Sequence, residues 1–335
     1  MSSPLLSIAI VSYNTRDLLR RCLASVAESP HHAIYQPSSM ADGDSGSPLL
    51  TLPCCRDISM APLCCELIVV DNASSDGSAD MVAAEFPRVK LIRSTTNLGF
   101  ARATNAGLQA SRGDLLLLLN PDTEVLGSAL PDMASFITTK PDAAAVGPAL
   151  VYPDGRRQHA AFQFPTLLMS FFDFFPLNHR LIDSRLNGRY RDPEGGEPFS
   201  VDHPLGAAMM IRRDALNDVG MLDEGFFMYC EEVDWCLRAK RRGWQIYQLP
   251  GAKVVHHVAQ SSRQFREEML IQLHRSRYRL FAKHYSAGFV SAHRAITRLG
   301  LAREMARTWW ENRRGRMTVQ EKGRRLRTYR TIWGM

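Results

Sequence analysis

Short apolar runs that each end in polar residues constrain the fold of this chain more than any other sequence feature. Residues 6–11 form a β-rich run, residues 66–70 form a second, and residues 115–119 are five consecutive leucines. Apolar residues at three- and four-residue spacing, as in residues 18–26, predict helices between the runs. Apolar strands that alternate with helices indicate an α/β fold with a mostly parallel sheet covered on both faces.

Polar side chains follow these runs at the points where the predicted strands end. Tyr13 comes after the first run, Asp71 and Asn72 after the second, and Asn120 and Asp122 after the third. In an open α/β sheet, ligands bind beyond the carboxyl ends of the strands. The sequence therefore predicts a binding site at this edge of the sheet.

Residues 30–64 interrupt the pattern. They are rich in Pro, Ser and Gly and have no sustained period, which predicts a loop insertion. Two adjacent cysteine pairs, Cys54-Cys55 and Cys64-Cys65, lie towards its end. Neither pair has the two-residue gap typical of a zinc site, so we expect free thiols in a loop.

The second half of the chain is less regular but contains recognisable elements. A buried strand, a helix and a further strand are predicted at residues 206–212, 231–242 and 247–256. The remainder reads as basic helices that are broken near three glycines, Gly288, Gly300 and Gly315.

The composition is that of a folded protein with a basic end. Of the 335 residues, 45% are hydrophobic and 22% are charged, which argues against extensive disorder. The net charge is +7, and much of the excess lies after about residue 237. A basic tail favours nucleic acid, anionic lipid or a phosphate-bearing substrate, and composition does not choose among them.

The sequence lacks the signals of membrane insertion and secretion. No stretch reaches the about 18–20 uncharged apolar residues that a membrane-spanning helix needs. Residues 1–10 lack the basic and apolar regions of a secretory signal. The seven cysteines are an odd number, and reduced thiols are usual in the cytosol. We therefore expect a cytoplasmic protein.

The turn after the five leucines is the first candidate for chemistry. Asn120-Pro121-Asp122 lies at the predicted carboxyl edge, where the Asp122 carboxylate would suit a hard cation such as Mg²⁺ or Mn²⁺. Asn, Pro and Asp are also common turn formers, so a plain strand-ending turn is the alternative interpretation.

The order of these motifs resembles that of the family 2 nucleotide-sugar glycosyltransferases with the GT-A fold, within them the rhamnosyltransferase-like bacterial branch. The resemblance extends over roughly residues 5–285, apart from the insertion. Its motifs are SIAIVSYN at 7–14, VVDNASSDGS at 69–78, NLGF at 97–100, NAG at 105–107 and LLNPDT at 118–123. It implies metal-dependent transfer of a sugar from a nucleoside-diphosphate donor to an acceptor hydroxyl.

The resemblance assigns roles to residues at the matching positions. The donor-binding residues would be Ser12, Tyr13, Asp71, Asn72, Asn97, Gly99, Asn105 and Asn120. Asp122 corresponds to the last acid of the metal motif, in which Asn120 replaces an Asp of many relatives. A further metal ligand is expected in the pair His256-His257. Because side chains alternate along a strand, only one of the two can face the site. The spacing to Ser261 matches the family pattern better for His256, and a histidine pair without a metal is the alternative.

Three acids in four residues are the candidates for the catalytic base. They are Glu231, Glu232 and Asp234, at the start of a predicted helix. Acids at this position also complement the helix dipole, which is the structural alternative. Clustered carboxylates raise one another's pKa, which favours a base near neutral pH. The resemblance places the base at Glu232, where relatives usually carry Asp, with Asp234 in reserve.

We expect a GT-A catalytic domain at residues 1–265, with a nucleotide-binding half at 1–125 and an acceptor half at 126–265. Residues 266–335 would form a basic helical extension. The resemblance implies an inverting transferase that moves a sugar, such as rhamnose from dTDP-rhamnose, onto a glycan or lipid-linked acceptor in cell-envelope polysaccharide synthesis.

Two other classes of function are weighed against this prediction. A non-catalytic module that binds nucleotide sugar or glycan on the same fold stays open because of Asn120 and Glu232. A sugar nucleotidyltransferase is disfavoured, because Tyr13-Asn14-Thr15 replaces the Gly-rich basic loop that grips a triphosphate. We expect no nucleic-acid partner, since the basic residues lie away from the strand ends.

Two aromatic segments raise the question of a membrane. The basic aromatic residues 274–281 would suit an anionic bilayer at the inner face of the membrane, or an ordinary solvated helix face. Residues 171–175 contain four phenylalanines, which would form either an apolar membrane-facing patch or part of the core. Peripheral membrane contact therefore stays an open expectation.

Overall fold

A computed structural model describes residues 5–27, 50–52, 63–257 and 266–335. Its strands are β1 Leu5–Ser12, β2 Leu50–Leu52, β3 Leu63–Asp71, β4 Lys90–Arg93, β5 Leu115–Leu119, β6 Thr123–Val125, β7 Ala143–Val151, β8 Arg157–Gln158, β9 Ala161–Phe162, β10 Phe199–Val201, β11 His203–Pro204, β12 Ala208–Arg212 and β13 Gln245–His256. Its helices are α1 Arg16–Ala27, α2 Ser78–Glu85, α3 Phe100–Gln109, α4 Ala129–Thr139, α5 Leu167–Phe174, α6 His179–Ile182, α7 Arg213–Val219, α8 Glu231–Arg241, α9 Arg266–His284, α10 Ala287–Arg313 and α11 Val319–Trp333.

One large sheet organises the described part of the chain. Its strand order is β10-β13-β7-β12-β5-β1-β3-β2, with β4 beside β3. Strands β5, β1, β3 and β4 are parallel, as predicted. Strand β12 lies antiparallel between β5 and β7, and β13 is again parallel to β7. The sheet is therefore mixed but mostly parallel, with helices on both faces, which confirms the predicted fold class.

The five leucines of β5 explain why this strand is apolar throughout. Leu115, Leu117 and Leu119 belong to a core cluster shared with α1 and α4. Leu116 and Leu118 belong to a second cluster on the other face, with residues of α7, α8 and α9. Because successive side chains of a strand point to opposite faces, only an uninterrupted apolar run fills both cores.

The C-terminal helices differ from the prediction at one glycine. Gly300 lies inside α10 and does not break it. A Cβ at Gly300 would lie 2.1 Å from the Phe174 ring, so the glycine allows close packing of α10 on α5. Gly315, with a φ of +68°, does follow the end of α10. Among the described residues, no helix is both long enough and apolar enough to cross a membrane.

The predicted insertion at 30–64 is only partly described. Leu50–Leu52 forms strand β2 and pairs antiparallel with β3, so the loop prediction is wrong for these residues. Strand β3 begins at Leu63, and Cys65 is fully buried on it rather than lying in a loop. Residues 28–49 and 53–62, with the Cys54-Cys55 pair, lie outside the described residues.

Candidate active site

The carboxyl ends of the parallel strands open into a cavity of about 500 Å³. The register of the sheet aligns Ser12 of β1 with Asp71 of β3, so both strands end at the same level. Strand β5 ends at Leu119, which pairs with Ala208 at the start of the antiparallel β12. The turn that precedes β12 therefore meets the end of β5 at this edge.

Nine of the predicted site residues line the cavity. They are Tyr13, Asn72, Asn97, Gly99, Asn120, Asp122, Glu231, Glu232 and His256. The structure thus brings together residues that are widely separated along the chain. Four predicted residues, Ser12, Asp71, Asn105 and Asp234, are not among the lining residues.

Asn72 organises the loop that carries Asn97 and Gly99. Its side-chain amide donates to Asn97 Oδ1 at 2.9 Å, and its Oδ1 accepts from the backbone N–H of Leu98 at 2.8 Å. Gly99 follows with a φ of +79°. A Cβ there would lie 2.5 Å from the carbonyl oxygen of Phe227, so this position requires glycine.

The three predicted donor-binding residues outside the cavity are buried, and each makes a hydrogen bond within the protein. Ser12 Oγ lies 2.9 Å from Thr15 Oγ1, and Asp71 Oδ2 accepts from the Ser74 N–H at 3.2 Å. Asn105 donates to the carbonyl of Leu222 at 2.9 Å and accepts from its N–H, which ties α3 to that segment. Asp71 is 4% exposed, and within the described structure its Oδ1 has no hydrogen-bond partner.

Asp122 and His256 lie face to face in the cavity wall. His256 Nε2 is 3.5 Å from Asp122 Oδ1, and both residues are buried. The other ring nitrogen, Nδ1, is 3.1 Å from Gln158 Oε1, an oxygen that can accept a hydrogen bond from it. In the tautomer that donates a hydrogen bond from Nδ1 to Gln158, the Nε2 lone pair would face the carboxylate. His257 points elsewhere and pairs with Glu124 at 2.7 Å.

The Asp122 carboxylate and the His256 Nε2 atom face each other. They would fit a cation that binds between them and takes its other ligands from a substrate. No group of three or more His, Cys, Asp or Glu suited to a metal occurs in the parts of the chain that are described. The neighbouring Asn120 Oδ1 is buried and lacks a hydrogen-bond partner there. Mg²⁺ commonly binds through one or two carboxylates plus phosphate oxygens, so the residues present fit such an ion.

Glu231 and Glu232, the first two residues of α8, also line the cavity. One oxygen of each carboxyl group, Oε2, is buried without a hydrogen-bond partner in the described structure. Burial raises the pKa of Glu231 well above its ordinary value, and the neighbouring Glu232 raises it further. Gly206 lies against the Glu232 side chain, since a Cβ there would be 3.3 Å from its Cδ.

Asp234 has a different environment from the two glutamates. Its side chain is completely buried and pairs with Arg238 at 2.9 Å, Lys283 at 2.7 Å and His284 at 2.6 Å. Burial raises its pKa, but hydrogen bonds from these three partners lower it below the ordinary value overall. The structure therefore places Asp234 between α8 and α9 rather than in the cavity.

Some cavity residues were not predicted from sequence. Phe227, Met228 and Tyr229 form one side of the cavity, and Glu268 and Met269 of α9 another. Tyr229 and the following Cys230 both have positive φ, of 69° and 68°. Consecutive left-handed residues other than glycine are unusual and costly. The sequence shows that Tyr229 and Cys230 come directly before the predicted acids Glu231 and Glu232. No sequence feature indicated Glu268 or Met269 of α9.

Sequence comparison assigns the family. The family model for Glycosyl transferase family 2 matches residues 54–220. The N-acetylglucosaminyl-diphospho-decaprenol L-rhamnosyltransferase of Mycobacterium tuberculosis is 30% identical over 238 residues, 66% of this chain and 75% of the relative. The chain belongs to glycosyltransferase family 2. The dTDP-rhamnosyl transferase RfbF of Shigella flexneri is 23% identical over 59% of this chain and 62% of its own length.

Solved structures place this family 2 glycosyltransferase among proteins of the GT-A fold. The mannosyltransferase PcManGT of Pyrobaculum calidifontis, in complex with GDP-Man and Mn²⁺, superposes with a TM-score of 0.55 at 16% identity. The match covers 100% of this chain and 84% of that one. GalNAc-T7 with UDP, GalNAc and Mn²⁺ gives 0.51 at 16% identity, over 76% of this chain and 43% of its own. The relatives give no support to a non-catalytic module.

Proposed function

We propose that this glycosyltransferase moves rhamnose from dTDP-rhamnose to a hydroxyl of a lipid-linked or glycan acceptor, with inversion at the anomeric carbon. The observation that carries the proposal is that one cavity contains Asp122 and His256, which would hold a metal, together with Glu232, the candidate base. A direct displacement needs a leaving-group site and a base within reach of the same bound substrates.

Donor binding is assigned to the ends of β1 and β3 and to the loop after β4. Tyr13, Asn97 and Gly99 line this part of the cavity. The Asp71 carboxylate carries a buried oxygen without a partner in the described structure, and it would accept a hydrogen bond from a base N–H or a ribose hydroxyl. Ser12 and Asn105 would support this side through their contacts rather than touch the donor.

The diphosphate is assigned to the wall formed by Asp122, His256 and Asn120. A divalent cation held by Asp122 and His256 would neutralise the negative charge that develops on the leaving diphosphate. In the solved structures of PcManGT and GalNAc-T7, Mn²⁺ is present with the nucleotide. The pairing of His256 with Gln158 keeps the ring in the orientation that suits this role.

Glu232 is the proposed catalytic base. The acceptor hydroxyl donates its proton to the Glu232 carboxylate, and the acceptor oxygen bonds to the anomeric carbon as the bond to the diphosphate oxygen breaks. The electron pair leaves with the nucleoside diphosphate. Burial and the neighbouring Glu232 raise the pKa of Glu231 well above its ordinary value, which makes Glu231 the less suitable base of the two.

The donor and acceptor are proposed from the relatives. The names of two of them specify rhamnosyl transfer, one from dTDP-rhamnose and the other to N-acetylglucosaminyl-diphospho-decaprenol. We propose the synthesis of cell-envelope polysaccharide as the process that this chain serves. We also propose that residues 1–265 act as the catalytic domain, with the helices of 266–335 as an extension packed on it.

Donor hydrolysis tests the proposal. Nucleotide sugars are incubated with Mn²⁺ or Mg²⁺, with EDTA, and with the Asp122→Ala variant, while Asp80→Ala, at an exposed carboxylate, serves as the control. We expect metal-dependent release of dTDP from dTDP-rhamnose that the Asp122 variant loses and the control retains. Release that survives both EDTA and Asp122→Ala would contradict the assignment of the diphosphate wall.

A further inference from the structure

Helix α10 carries an exposed apolar face that has no part in the proposed sugar transfer. On α10, five apolar residues recur at alternating spacings of four and three, so they form one stripe. They are Ala295, Leu299, Ala302, Ala306 and Trp309, and all are exposed. Leu299 is 62% exposed and Trp309 is 56% exposed. We call this stripe the α10 face; it extends for about 21 Å along the helix.

Aromatic residues and cations border the α10 face. Trp310 is 50% exposed beside it, and Trp333 of α11 is 40% exposed. Lys322 lies 4.5 Å from the centre of the Trp309 ring, and Arg314 lies 3.7 Å from that of Trp310. Tryptophan with adjacent arginine or lysine is typical of helices that lie at a membrane–water interface.

The charge distribution of the chain is strongly uneven. Residues 266–335 contain 17 Lys and Arg against 5 Asp and Glu, a net charge of +12. Because the whole chain carries +7, residues 1–265 carry −5. A positive segment on a molecule that is otherwise negative is drawn to an anionic surface in one orientation only.

We infer that the α10 face is a docking surface for an anionic lipid bilayer, with α10 lying in the plane of the interface. The apolar stripe would enter the boundary between headgroups and acyl chains, and the arginines would meet lipid phosphates. A second copy of this chain fits less well, because it would bring two segments of charge +12 together. Nucleic acid offers the phosphates but no apolar layer for the stripe.

This surface differs from both segments that the sequence indicated. Residues 274–281 contribute His274, Leu280 and Phe281 to the interior. In the phenylalanine-rich segment, Phe172 is buried and Phe174 packs on Gly300 of α10. The two segments hold α10 in place from its inner side, and the α10 face is the opposite side of the same helix.

Vesicle co-sedimentation of the full chain tests the inference, independently of any sugar transfer. The variants are Trp309→Ser with Trp310→Ser, and Arg313→Gln with Arg314→Gln. The matched controls are Leu126→Ser with Leu186→Ser, at two exposed leucines elsewhere, and Arg112→Gln with Arg156→Gln. Vesicles of phosphatidylcholine alone are compared with vesicles that contain about 30% phosphatidylglycerol.

We expect binding to the anionic vesicles that falls by at least about tenfold in the tryptophan variant. Binding should fall several-fold in the Arg313 and Arg314 variant and should weaken as salt rises. Brominated lipid should quench the fluorescence of the wild-type chain. Unchanged binding in the tryptophan variant would overturn the inference. So would a dimer in sedimentation velocity that the tryptophan variant abolishes, since it would assign the face to a second copy.

Discussion

Glu231 and Glu232 are adjacent in sequence, yet their surroundings differ. Glu231 is 6% exposed, and burial raises its pKa well above the ordinary value. Glu232 lies against Gly206, where the absence of a side chain leaves it room beside the cavity. We therefore propose different roles for the two residues, with Glu232 as the base.

The first prediction separates the roles of these two residues. Glu232→Gln should lower the rate of transfer by about 10²–10⁴-fold, because the amide cannot accept the acceptor's proton. Glu231→Gln should have a much smaller effect, since glutamine resembles the protonated acid. The measurement is kcat for transfer with both substrates, together with the Kd of the nucleoside diphosphate. Equal losses in the two variants would remove the distinction drawn between them.

The second prediction concerns Gly99 and uses Gly127 as its control. Both glycines have positive φ, but a Cβ at Gly99 meets the Phe227 carbonyl whereas one at Gly127 meets nothing within 4 Å. Gly127→Ala should cost about 1 kcal/mol from the backbone alone. Gly99→Ala should cost about 2–4 kcal/mol and weaken donor binding, because overpacking is added. Urea unfolding and nucleotide titration measure both; similar values for the two variants would contradict the packing argument.

At the residue scale, polar residues at the ends of strands indicated where the site lies. The sequence was less informative about the residues that hold neighbouring segments in place. Tyr13, Asn120 and Asp122 could be placed because parallel strands end at one edge. The positions of Asn105 and Asp234 could not, because their partners, Leu222 and His284, are distant in sequence. A motif shows which residue types occur together but does not distinguish a residue that touches the ligand from one that holds a neighbouring segment.

At the scale of elements, α9 connects the site to the C-terminal helices. Its first turn supplies Glu268 and Met269 to the cavity wall. Its last turn supplies Lys283 and His284 to the buried Asp234 of α8. Asp223 binds the same helix through Arg279 and Lys283; burial raises its pKa, but these hydrogen bonds and one from the Gly225 N–H lower it to about 2. Helix α9 is therefore held to α8 and to Asp223 through its C-terminal half.

The third prediction is that acid weakens the packing of α9 through His274. Burial, with smaller effects of Arg277 and His293, lowers the pKa of His274 to about 3. Below its unfolded pKa of about 6.5 the unfolded chain binds a proton that the folded chain excludes, so stability falls as pH falls. At pH 5 this amounts to about 1–2 kcal/mol from this residue.

His274→Phe should reduce that pH dependence, since phenylalanine retains the contact with Phe174 and does not titrate. Nδ1 of His274 has no hydrogen-bond partner in the described structure, so the substitution removes no bond of that atom. The measurement is the free energy of unfolding between pH 5 and 7.5. His179→Phe, at an exposed histidine, is the control and should leave the slope unchanged. An unchanged slope in His274→Phe would show that the residue does not titrate in this way.

At the scale of the whole molecule, the sequence predicted the presence of the sheet better than the directions of its strands. Apolar runs separated by helices indicated a mostly parallel sheet, and β5, β1 and β3 agree. The antiparallel insertion of β12 was not predicted, because a buried strand is apolar in either direction. Nor could the packing of α10 on Phe174 be foreseen, since glycine in a sequence indicates a break as readily as a close contact.

The molecule as a whole joins a negatively charged part, residues 1–265, to a positively charged helical part, residues 266–335. The negative part contains the edge of the sheet where donor and base are proposed to meet. The helical part contributes Glu268 and Met269 of α9 to that cavity and exposes the α10 face. The same helical segment thus carries the proposed lipid-binding surface and part of the cavity wall.

The stereochemistry of transfer tests the central claim most directly, because a base that activates the acceptor hydroxyl for direct attack predicts a single displacement with inversion. Wild-type protein is supplied with dTDP-rhamnose, Mn²⁺ and a short-chain lipid-diphosphate N-acetylglucosamine, and the anomeric configuration of the product is read by NMR. We expect a rhamnoside of configuration opposite to that of the donor, and a rate of transfer lowered by about 10²–10⁴-fold with Glu232→Gln. Retained configuration, or an unchanged rate in the Glu232 variant, would contradict the account.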